Sequence, residues 1–462
     1  MLARGIHSYH RPNRLEEAMD LAARGAIPLA GGTRLLASPG EVPNVLDLSA
    51  LGFGGIGIEE GDLVLGATAT LQETIDSPLA YEATGDLLPT ACRSQSASRA
   101  IRVMATLGGE SVHGAHDSEV VAALLALNAV YVVAHPLEIR ESPGLRFLRD
   151  PAGDLLGGGL LKSIVIPGAP GGASLERLAS PPSAPAFVAV AVTIAFAGDK
   201  CTRARIACTG LTCRPARILE AEAQIERTTA EADAVGEAVG QLIAHAPFRA
   251  DAAASAEYRR RLAGVLARRA LEAAIAKARQ PAGLEPPRPK RLASAPRAAQ
   301  PLPYFTSGRI ELSVNGRPLR AEVEARTTLL GLLRREGLTA AKDGCGAGEC
   351  GACSVLLDGR PVNACLLLAL RAQGRTVQTA EGLAGPRGLH PLQSAFLEAG
   401  APVCGYCTPA LLLQAKGLLD AVPAPTEAEV KDALAGVACR CTGGTAAIRA
   451  VLHAAASTRG RP

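Results

Sequence analysis

The sequence lacks tryptophan, has few other aromatic residues (3% in total), and carries a formal net charge of only +4 over 462 residues. Few aromatic side chains leave little surface for stacking nucleobases, and a small net charge gives no strong positive field for phosphate backbones. We therefore expect no nucleic-acid partner. Apolar residues make up 48% and charged residues 20% of the chain, a balance typical of a folded globular protein.

Long apolar runs are also missing. The longest apolar stretch, residues 186–197 (AFVAVAVTIAFA), is shorter than the roughly 20 residues that a membrane-spanning helix needs. The first residues, MLARGIHSYHRPNR, lack the apolar core of a secretory signal. The sequence thus predicts no membrane span and a cytoplasmic location, and β-branched residues in the stretch favour a buried strand.

The length exceeds what one ordinary hydrophobic core accommodates, which predicts several domains. Residues 281–305 are rich in proline and arginine, a composition typical of an extended linker. Before this linker, strand-like and helix-like patterns alternate, which predicts an α+β region. We divide that region into residues 1–175 and 176–280.

After the linker the pattern changes twice. Alternating apolar residues on both sides of Asn315-Gly316 predict a β-hairpin, and we assign residues 306–385 to a β-rich domain. From residue 386 to 462 the apolar spacing becomes helical, which predicts a helical bundle. One of its helices is predicted to begin at Thr426, with Glu429 completing a capping box.

The twelve cysteines are unevenly distributed, and eight of them fall between Cys345 and Cys441. In a reducing compartment, closely spaced cysteines are more often metal ligands than disulfides. The first quartet is Cys345, Cys350, Cys353 and Cys365. Its C-x4-C-x2-C spacing is that of plant-type 2Fe-2S ligation, and the glycines around it let the backbone aim N–H groups at cluster sulfurs.

The second quartet is formed by two close pairs, in the segments CGYC and CRC. It consists of Cys404, Cys407, Cys439 and Cys441. Two such pairs suit one metal centre, and by spacing alone a zinc site with four thiolate ligands remains an alternative to a second cluster.

Residues 309–453 resemble the two-cluster iron-sulfur subunit of the xanthine dehydrogenase and carbon monoxide dehydrogenase family. The resemblance rests on CGAGECGACSVLLDG, TAEGL, HPLQSAF, CGYCTP and CRCTG, and all eight cysteines match. It implies two 2Fe-2S clusters, the first in a ferredoxin-like β-grasp domain and the second in a helical bundle nearer the molybdopterin. Two departures are Val403, where the family usually has glutamine, and TGGTAAI after Cys441.

Two glycine segments stand out in the first half of the chain. AGGTRLL, from Ala30, follows a predicted strand, and ATLGGESVHGAHDSE, from Ala105, runs into a predicted helix. Glycine turns and helix starts present backbone N–H groups to phosphates, although a tight structural turn explains a Gly-Gly pair equally well. The G-x-G-x-x-G fingerprint of a Rossmann fold is absent.

Together these segments resemble the FAD-binding subunit of the same family, a two-part FAD domain with an α+β C-terminal extension. The resemblance implies bound FAD and carries contacts over by position to Ala30, Gly31, Gly32, Thr33, Arg34, Thr106, Gly108, Gly109 and Glu119. Arg34, Glu110 and His116 differ from the residues that are usual there. No catalytic residue is predicted.

The resemblance implies an electron-transfer subunit of a molybdenum-dependent hydroxylase. Electrons would leave a molybdopterin on a large catalytic partner subunit and pass through the second and first clusters to FAD, in a higher oligomer of the heteromer. The order of domains resembles a fusion of the family's medium and small subunits. Two alternatives stay open: a stand-alone FAD and 2Fe-2S reductase without molybdenum, and a colourless zinc-bearing scaffold without redox function.

Overall fold

The structure is a computed structural model. It describes residues 5–38, 40–181, 184–226, 228–229, 236, 239–241, 243, 245–279, 299–386 and 388–459. The chain divides into two compact units. The first contains Met1–Gly52, Ala97–Ala105 and Lys290–Pro462, and the second contains Phe53–Ser96 and Thr106–Pro289. The predicted flavin half therefore contributes two segments to the unit that holds both cysteine quartets.

Short strands and helices alternate along the described residues, as the α+β prediction requires. The strands are β1 (Ser8–Arg11), β2 (Ile27–Leu29), β3 (Asn44–Asp47), β4 (Ile56–Glu59), β5 (Asp62–Gly66), β6 (Val130–Ala134), β7 (Ile139–Pro143), β8 (Leu160–Ile166), β9 (Gly172–Leu178), β10 (Val188–Ala197), β11 (Lys200–Cys208), β12 (Ala216–Arg217), β13 (Leu302–Phe305), β14 (Ser307–Val314), β15 (Arg317–Glu324), β16 (Ser354–Leu357), β17 (Arg360–Asn363) and β18 (Thr376–Gln378). The helices are α1 (Leu15–Ala23), α2 (Leu71–Asp76), α3 (Pro78–Thr84), α4 (Leu87–Gln95), α5 (Arg99–Arg102), α6 (Leu107–His113), α7 (Glu119–Ala126), α8 (Gly144–Phe147), α9 (Pro151–Asp154), α10 (Leu219–Ile225), α11 (Ala256–Arg279), α12 (Leu329–Arg335), α13 (Pro391–Glu398), α14 (Thr408–Ala421), α15 (Glu427–Leu434) and α16 (Thr445–Arg459).

The first unit contains a small sheet in the order β13-β1-β3-β2, in which β13 joins β1 antiparallel. The sequence assigned the residues of β13 to the linker, and that assignment is wrong for residues 302–305. A proline at an edge strand needs no N–H partner, so Pro303 does not prevent the pairing. Residues 281–298 of the predicted linker lie outside the described residues.

The predicted β-hairpin is confirmed as β14 and β15, in a sheet of order β15-β14-β18-β16-β17. Its turn residues Asn315 and Gly316 have φ values of 52° and 77°, the positive values that a tight hairpin turn requires. Helix α12 packs against this sheet, and its leucines are buried in the core: Leu329, Leu330, Leu332 and Leu333. This arrangement agrees with the predicted β-grasp fold.

The predicted helical bundle is confirmed as α13 to α16, which share one hydrophobic core. Helix α15 begins with the predicted capping box. The Thr426 hydroxyl accepts a hydrogen bond from the N–H of Glu429, and the Glu429 carboxylate accepts one from the N–H of Thr426. These bonds fix the start of the helix that ends just before the CRC segment.

The second unit contains two antiparallel sheets, in the orders β4-β5-β8-β6-β7 and β12-β11-β10-β9. The predicted buried strand at residues 186–197 is confirmed as β10. Helix α11 packs closely on the second sheet, because a Cβ at Gly172 would lie 2.1 Å from the carbonyl oxygen of Ala274. Among the described helices, none is both long enough and apolar enough to cross a bilayer.

A buried arginine of α11, Arg259, holds a carboxylate of the second unit in its charged form. Its guanidinium donates to both oxygens of Asp251 over 2.8 and 2.9 Å, and this lowers the pKa of Asp251. A carboxylate with a lowered folded-state pKa stabilises the fold above its unfolded pKa of about 3.9. That contribution is lost as the pH falls toward the folded-state pKa.

We therefore expect Asp251→Asn to reduce the dependence of thermal stability on acid pH. Between about pH 5 and pH 3.5, the melting temperature of the unmodified chain should fall more steeply than that of the variant. Near pH 7 the variant should melt lower, because the buried Arg259 loses its counter-ion. If the melting temperatures of both proteins fell equally across this pH range, the ion pair between Asp251 and Arg259 would not be the source of the pH dependence.

Candidate functional site

The first quartet lies in the β-grasp part of the first unit. Cys345 and Cys350 stand in the loop after α12, and Cys353 immediately precedes β16. Cys365 lies in a short 3-10 helix, Ala364–Leu366. Cys353 and Cys365 are buried, whereas Cys345 is exposed. One side of the quartet is therefore anchored in the core and the other reaches solvent.

Backbone N–H groups in the ligand loop point at a ligand sulfur, as predicted. The N–H groups of Glu349 and Cys350 donate to Sγ of Cys345 over 3.2 and 3.3 Å. The loop reaches this shape through glycines, among them Gly348 with a φ of 79°. Such bonds favour the thiolate form and tune the potential of a bound cluster.

The first quartet is organised as two pairs of cysteines. The thiols of Cys353 and Cys365 hydrogen-bond to each other, which lowers the pKa of Cys353 and raises that of Cys365. In the other pair, the N–H of Cys345 donates to Sγ of Cys350 over 3.5 Å. A 2Fe-2S cluster takes two protein ligands on each iron, so this two-and-two arrangement fits one.

The second quartet has the same arrangement, built from two loops. Cys404 and Cys407 precede α14, while Cys439 and Cys441 lie in the turn between α15 and α16. Hydrogen bonds between thiols pair Cys404 with Cys441 and Cys407 with Cys439. A hydrogen bond from the backbone N–H of Thr442 is the largest influence on Cys439 and helps lower its pKa to about 7. Thiolate character of this kind favours metal ligation.

The two quartets are connected through the protein backbone. The carbonyl oxygen of Cys350 accepts a hydrogen bond of 3.0 Å from the N–H of Ala438, the residue before Cys439. The backbones meet closely here, because a Cβ at Gly351 would lie 2.1 Å from the carbonyl oxygen of Gly436. A single hydrogen bond thus joins Cys350 of the first quartet to Ala438, which is the residue next to Cys439 of the second quartet.

The second quartet lies at the surface of its unit. Cys404 and Cys441 are exposed, and the side chains beside Cys404 include Val403, 67% exposed, and Tyr406, 46% exposed. The Tyr406 hydroxyl donates to the carbonyl oxygen of Asp343 over 3.3 Å, next to the first ligand loop. Two large exposed side chains, Val403 and Tyr406, therefore flank the second quartet beside Cys404.

The first predicted flavin loop follows β2 in the first unit. We call residues 30–34 the first glycine loop. Gly31 and Gly32 are buried, and the other three are partly exposed. The loop rests on the backbone of the same unit, because a Cβ at Gly31 would lie 2.0 Å from the carbonyl oxygen of Met104. Only glycine allows this approach.

Backbone donors are available in the first glycine loop. Gly32 has a φ of 79°, and in the described part of the chain the N–H groups of Gly32 and Thr33 have no hydrogen-bond acceptor. Successive unpaired N–H groups in a glycine turn are suitable donors for a phosphate. The loop therefore fits the pyrophosphate of FAD.

The second predicted flavin loop lies in the second unit, where its N–H groups have protein partners. Thr106 caps α6 by accepting from the N–H of Gly109 over 3.1 Å. The N–H of Gly108 donates to the carbonyl oxygen of Ala67 over 2.9 Å. A Cβ at Gly108 would lie 2.6 Å from that oxygen, so close packing alone requires glycine at this position. A contact between these residues and FAD stays a prediction.

Glu119, predicted to contact FAD, is only 1% exposed and is paired within the second unit. Its carboxylate accepts from Nε of Arg177 over 2.9 Å and from the Ser94 hydroxyl. Burial is the largest influence and raises the pKa of Glu119, while Arg177 opposes that shift. Sequence reasoning missed Arg177, which lies in β9 and has no local signal. A role of Glu119 toward FAD stays a prediction.

Four domain families match the chain. Residues 4–169 match the FAD binding domain in molybdopterin dehydrogenase, and residues 176–274 match the CO dehydrogenase flavoprotein C-terminal domain. Residues 312–378 match the 2Fe-2S iron-sulfur cluster binding domain, and residues 379–452 match a second 2Fe-2S binding domain. The last match supports a 2Fe-2S cluster, rather than zinc, at the second quartet.

Known proteins are similar to each half of the chain. The nicotinate dehydrogenase small FeS subunit of Eubacterium barkeri is 49% identical over 135 residues, which cover 29% of this chain and 86% of that protein. The nicotine 6-hydroxylase small subunit of Paenarthrobacter nicotinovorans is 47% identical over 146 residues, 31% of this chain and 88% of that protein. A chain of reconstituted CO dehydrogenase from Oligotropha carboxidovorans superposes with a TM-score of 0.55 at 28% identity, covering 60% of this chain and 99% of that one.

The domain families and the relatives agree with the paired thiols of both quartets and with the N–H groups of Gly32 and Thr33, which have no acceptor among the described residues. FAD and two 2Fe-2S clusters are therefore the cofactors of this oxidoreductase chain. The chain belongs to the molybdenum hydroxylase family of xanthine and carbon monoxide dehydrogenases, as an electron-transfer subunit with an FAD domain and two 2Fe-2S domains.

Proposed function

We propose that this chain receives electrons from a molybdopterin centre on a separate large subunit and delivers them to an external acceptor. The route runs from the second quartet to the first and then to the flavin domain. FAD supplies the chemistry of exchanging both single electrons and electron pairs, whereas each 2Fe-2S cluster carries one electron at a time. The residues of the chain hold these groups, tune them and exclude side reactions.

The observation that carries this proposal is the connection between the quartets. The second quartet has two exposed ligands, Cys404 and Cys441, whereas the first quartet has one exposed ligand, Cys345, and two buried ones, Cys353 and Cys365. A hydrogen bond from the N–H of Ala438 to the carbonyl oxygen of Cys350 links the two quartets inside one unit. This order supports entry at the second quartet and passage to the first.

The surface around the second quartet supports docking of the large subunit. Val403 has no hydrogen-bonding side chain, so a side-chain hydrogen bond to a pterin from the residue before Cys404 is not available in this chain. Its exposed side chain, with that of Tyr406, instead offers apolar surface that a partner would bury. We place the interface with the molybdenum subunit here.

For FAD, we propose that the first glycine loop holds the pyrophosphate through the N–H groups of Gly32 and Thr33. The remaining predicted contacts, from Thr106 to Glu119, belong to the same proposal. The substrate is set by the large subunit. The small-subunit relatives are named for nicotinate and nicotine, and their similarity covers only the cluster domains.

The test is anaerobic isolation of the tagged chain from its own source at low expression. We expect a large second chain and about one molybdenum per FAD in the complex. FAD and iron without molybdenum or a partner, in a preparation of intact chain, would contradict the proposal and favour the stand-alone reductase.

A further inference from the structure

Residues 97–105 belong by sequence to the FAD-binding domain, which spans residues 4–169, yet they lie in the compact unit that holds both cysteine quartets. We call them the bridging segment. They include the short helix α5 and the turn that leads to Met104. Their position raises the question of what holds this segment of the flavin domain against the cluster domains.

The bridging segment forms an ion pair with the helical bundle. Arg102, whose side chain is 1% exposed, places its Nη2 atom 2.6 Å from Oδ2 of Asp432 on α15. Its Nη1 atom donates to the carbonyl oxygen of Ala97 over 3.1 Å, within the segment. The buried guanidinium of Arg102 therefore bonds to Ala97 within the segment and to Asp432 on α15. These bonds hold the segment against the helix that leads to Cys439.

Two further contacts place the bridging segment beside both ligand loops. A Cβ at Gly436 would lie 2.4 Å from Oγ of Ser98, so the start of α5 touches the turn that leads to Cys439. A Cβ at Gly348, in the first ligand loop, would lie 3.1 Å from Cδ1 of Ile101. The segment therefore packs against a loop of each cluster domain.

The end of the bridging segment supports the first glycine loop. The carbonyl oxygen of Met104 packs against Gly31 so closely that a Cβ at Gly31 would lie only 2.0 Å from it. Within one unit, a run of nine residues thus contacts the first ligand loop at Ile101 and the proposed FAD loop at Met104. A shift of the segment changes the separation of those two loops.

We propose that the Arg102–Asp432 ion pair is a positioning contact that sets how fast electrons pass between the first cluster and FAD. Neither residue is among the predicted cofactor contacts. The pair acts by keeping the bridging segment, and with it the first glycine loop, at a fixed distance from the first ligand loop. This inference rests on the proposed function, because it presumes that the route runs through both groups.

The test uses Asp432→Asn in the complete complex, with Asp432→Glu as the conservative variant. A photochemical one-electron donor reduces the clusters in a flash, and the arrival of that electron at FAD is followed by absorbance. We expect the transfer rate to fall about tenfold or more in Asp432→Asn, because small misplacements of reacting groups are costly, and to recover in part in Asp432→Glu. The rate of amide hydrogen exchange in residues 97–105 should also rise in Asp432→Asn.

A matched control is Lys431→Met, which removes an exposed ion pair with Glu427 on the same helix and should leave the rate unchanged. An unchanged rate in Asp432→Asn, with full iron and FAD, would overturn the positioning role. Loss of iron or FAD from Asp432→Asn would also overturn the positioning role, because the ion pair would then be needed for folding or cofactor retention. Absence of either cofactor from the unmodified chain would contradict the proposed function itself.

Discussion

Replacement of Cys353 by alanine is expected to remove the first cluster and stop electron passage to FAD. Cys353 is buried, and its thiol pairs with that of Cys365 on one side of the quartet. With three thiolates left, one iron would lack half of its protein ligands, and burial prevents water from replacing the thiolate freely. Iron should fall from about four to about two atoms per chain.

The measurement is iron per chain together with electron paramagnetic resonance of the reduced protein. One of the two cluster signals should disappear, and the signal of the second quartet should stay. Cys213→Ala is the control, because Cys213 is an exposed cysteine outside both quartets and its removal should leave iron unchanged. Full iron content in Cys353→Ala would exclude Cys353 as a ligand.

Replacement of Gly31 by alanine is expected to weaken FAD binding strongly. The new Cβ would lie 2.0 Å from the carbonyl oxygen and 2.8 Å from the carbonyl carbon of Met104. Both atoms belong to the backbone, so the first glycine loop must move as a whole. Overpacking of this kind costs about 1–3 kcal/mol, which corresponds to a loss of affinity of roughly 5- to 150-fold if it falls on the bound state.

Flavin content after isolation and the dissociation constant from flavin fluorescence measure this effect. Gly40→Ala serves as the control, because Gly40 is in the same unit and no atom of the described residues lies within 4 Å of a Cβ at that position. Iron content should not change in either variant, since both quartets are elsewhere in the chain. Unchanged affinity in Gly31→Ala would show that this loop does not hold FAD.

Features encoded by neighbouring residues could be predicted from the sequence. The Asn315-Gly316 turn, the Thr426 capping box and the buried strand β10 each depend on a few adjacent residues, and the structure has all three. The first ligand loop belongs to the same class, because its glycines and cysteines lie within one short segment. Local conformational preference was sufficient there.

Contacts between distant residues could not be predicted in the same way. The Arg102–Asp432 pair joins residues 330 apart, and β13 reaches β1 from the other half of the chain. The residues next to each partner carry no sequence pattern that predicts the other partner, because burial and charge complementarity arise only after folding. For the same reason the division into residues 1–175 and 176–280 did not reveal that the bridging segment belongs to the unit with the clusters.

The second glycine loop illustrates a different limit. Its sequence suits a phosphate site, yet the N–H groups of Gly108 and Gly109 donate to Ala67 and Thr106. The same glycines that permit a ligand to approach also permit a backbone to do so, and composition does not distinguish the two. In the described part of the chain, hydrogen-bond partners distinguish the two loops, because the N–H groups of Gly32 and Thr33 in the first loop have no acceptor.

The number of electrons that the isolated chain accepts directly measures its cofactor content. An anaerobic titration with dithionite should require about four electrons per chain, two for FAD and one for each 2Fe-2S cluster. Flavin and cluster absorbance should bleach together with that count. An end point near three electrons, with zinc bound in place of one cluster, would contradict the assignment of two clusters and the electron route built on it.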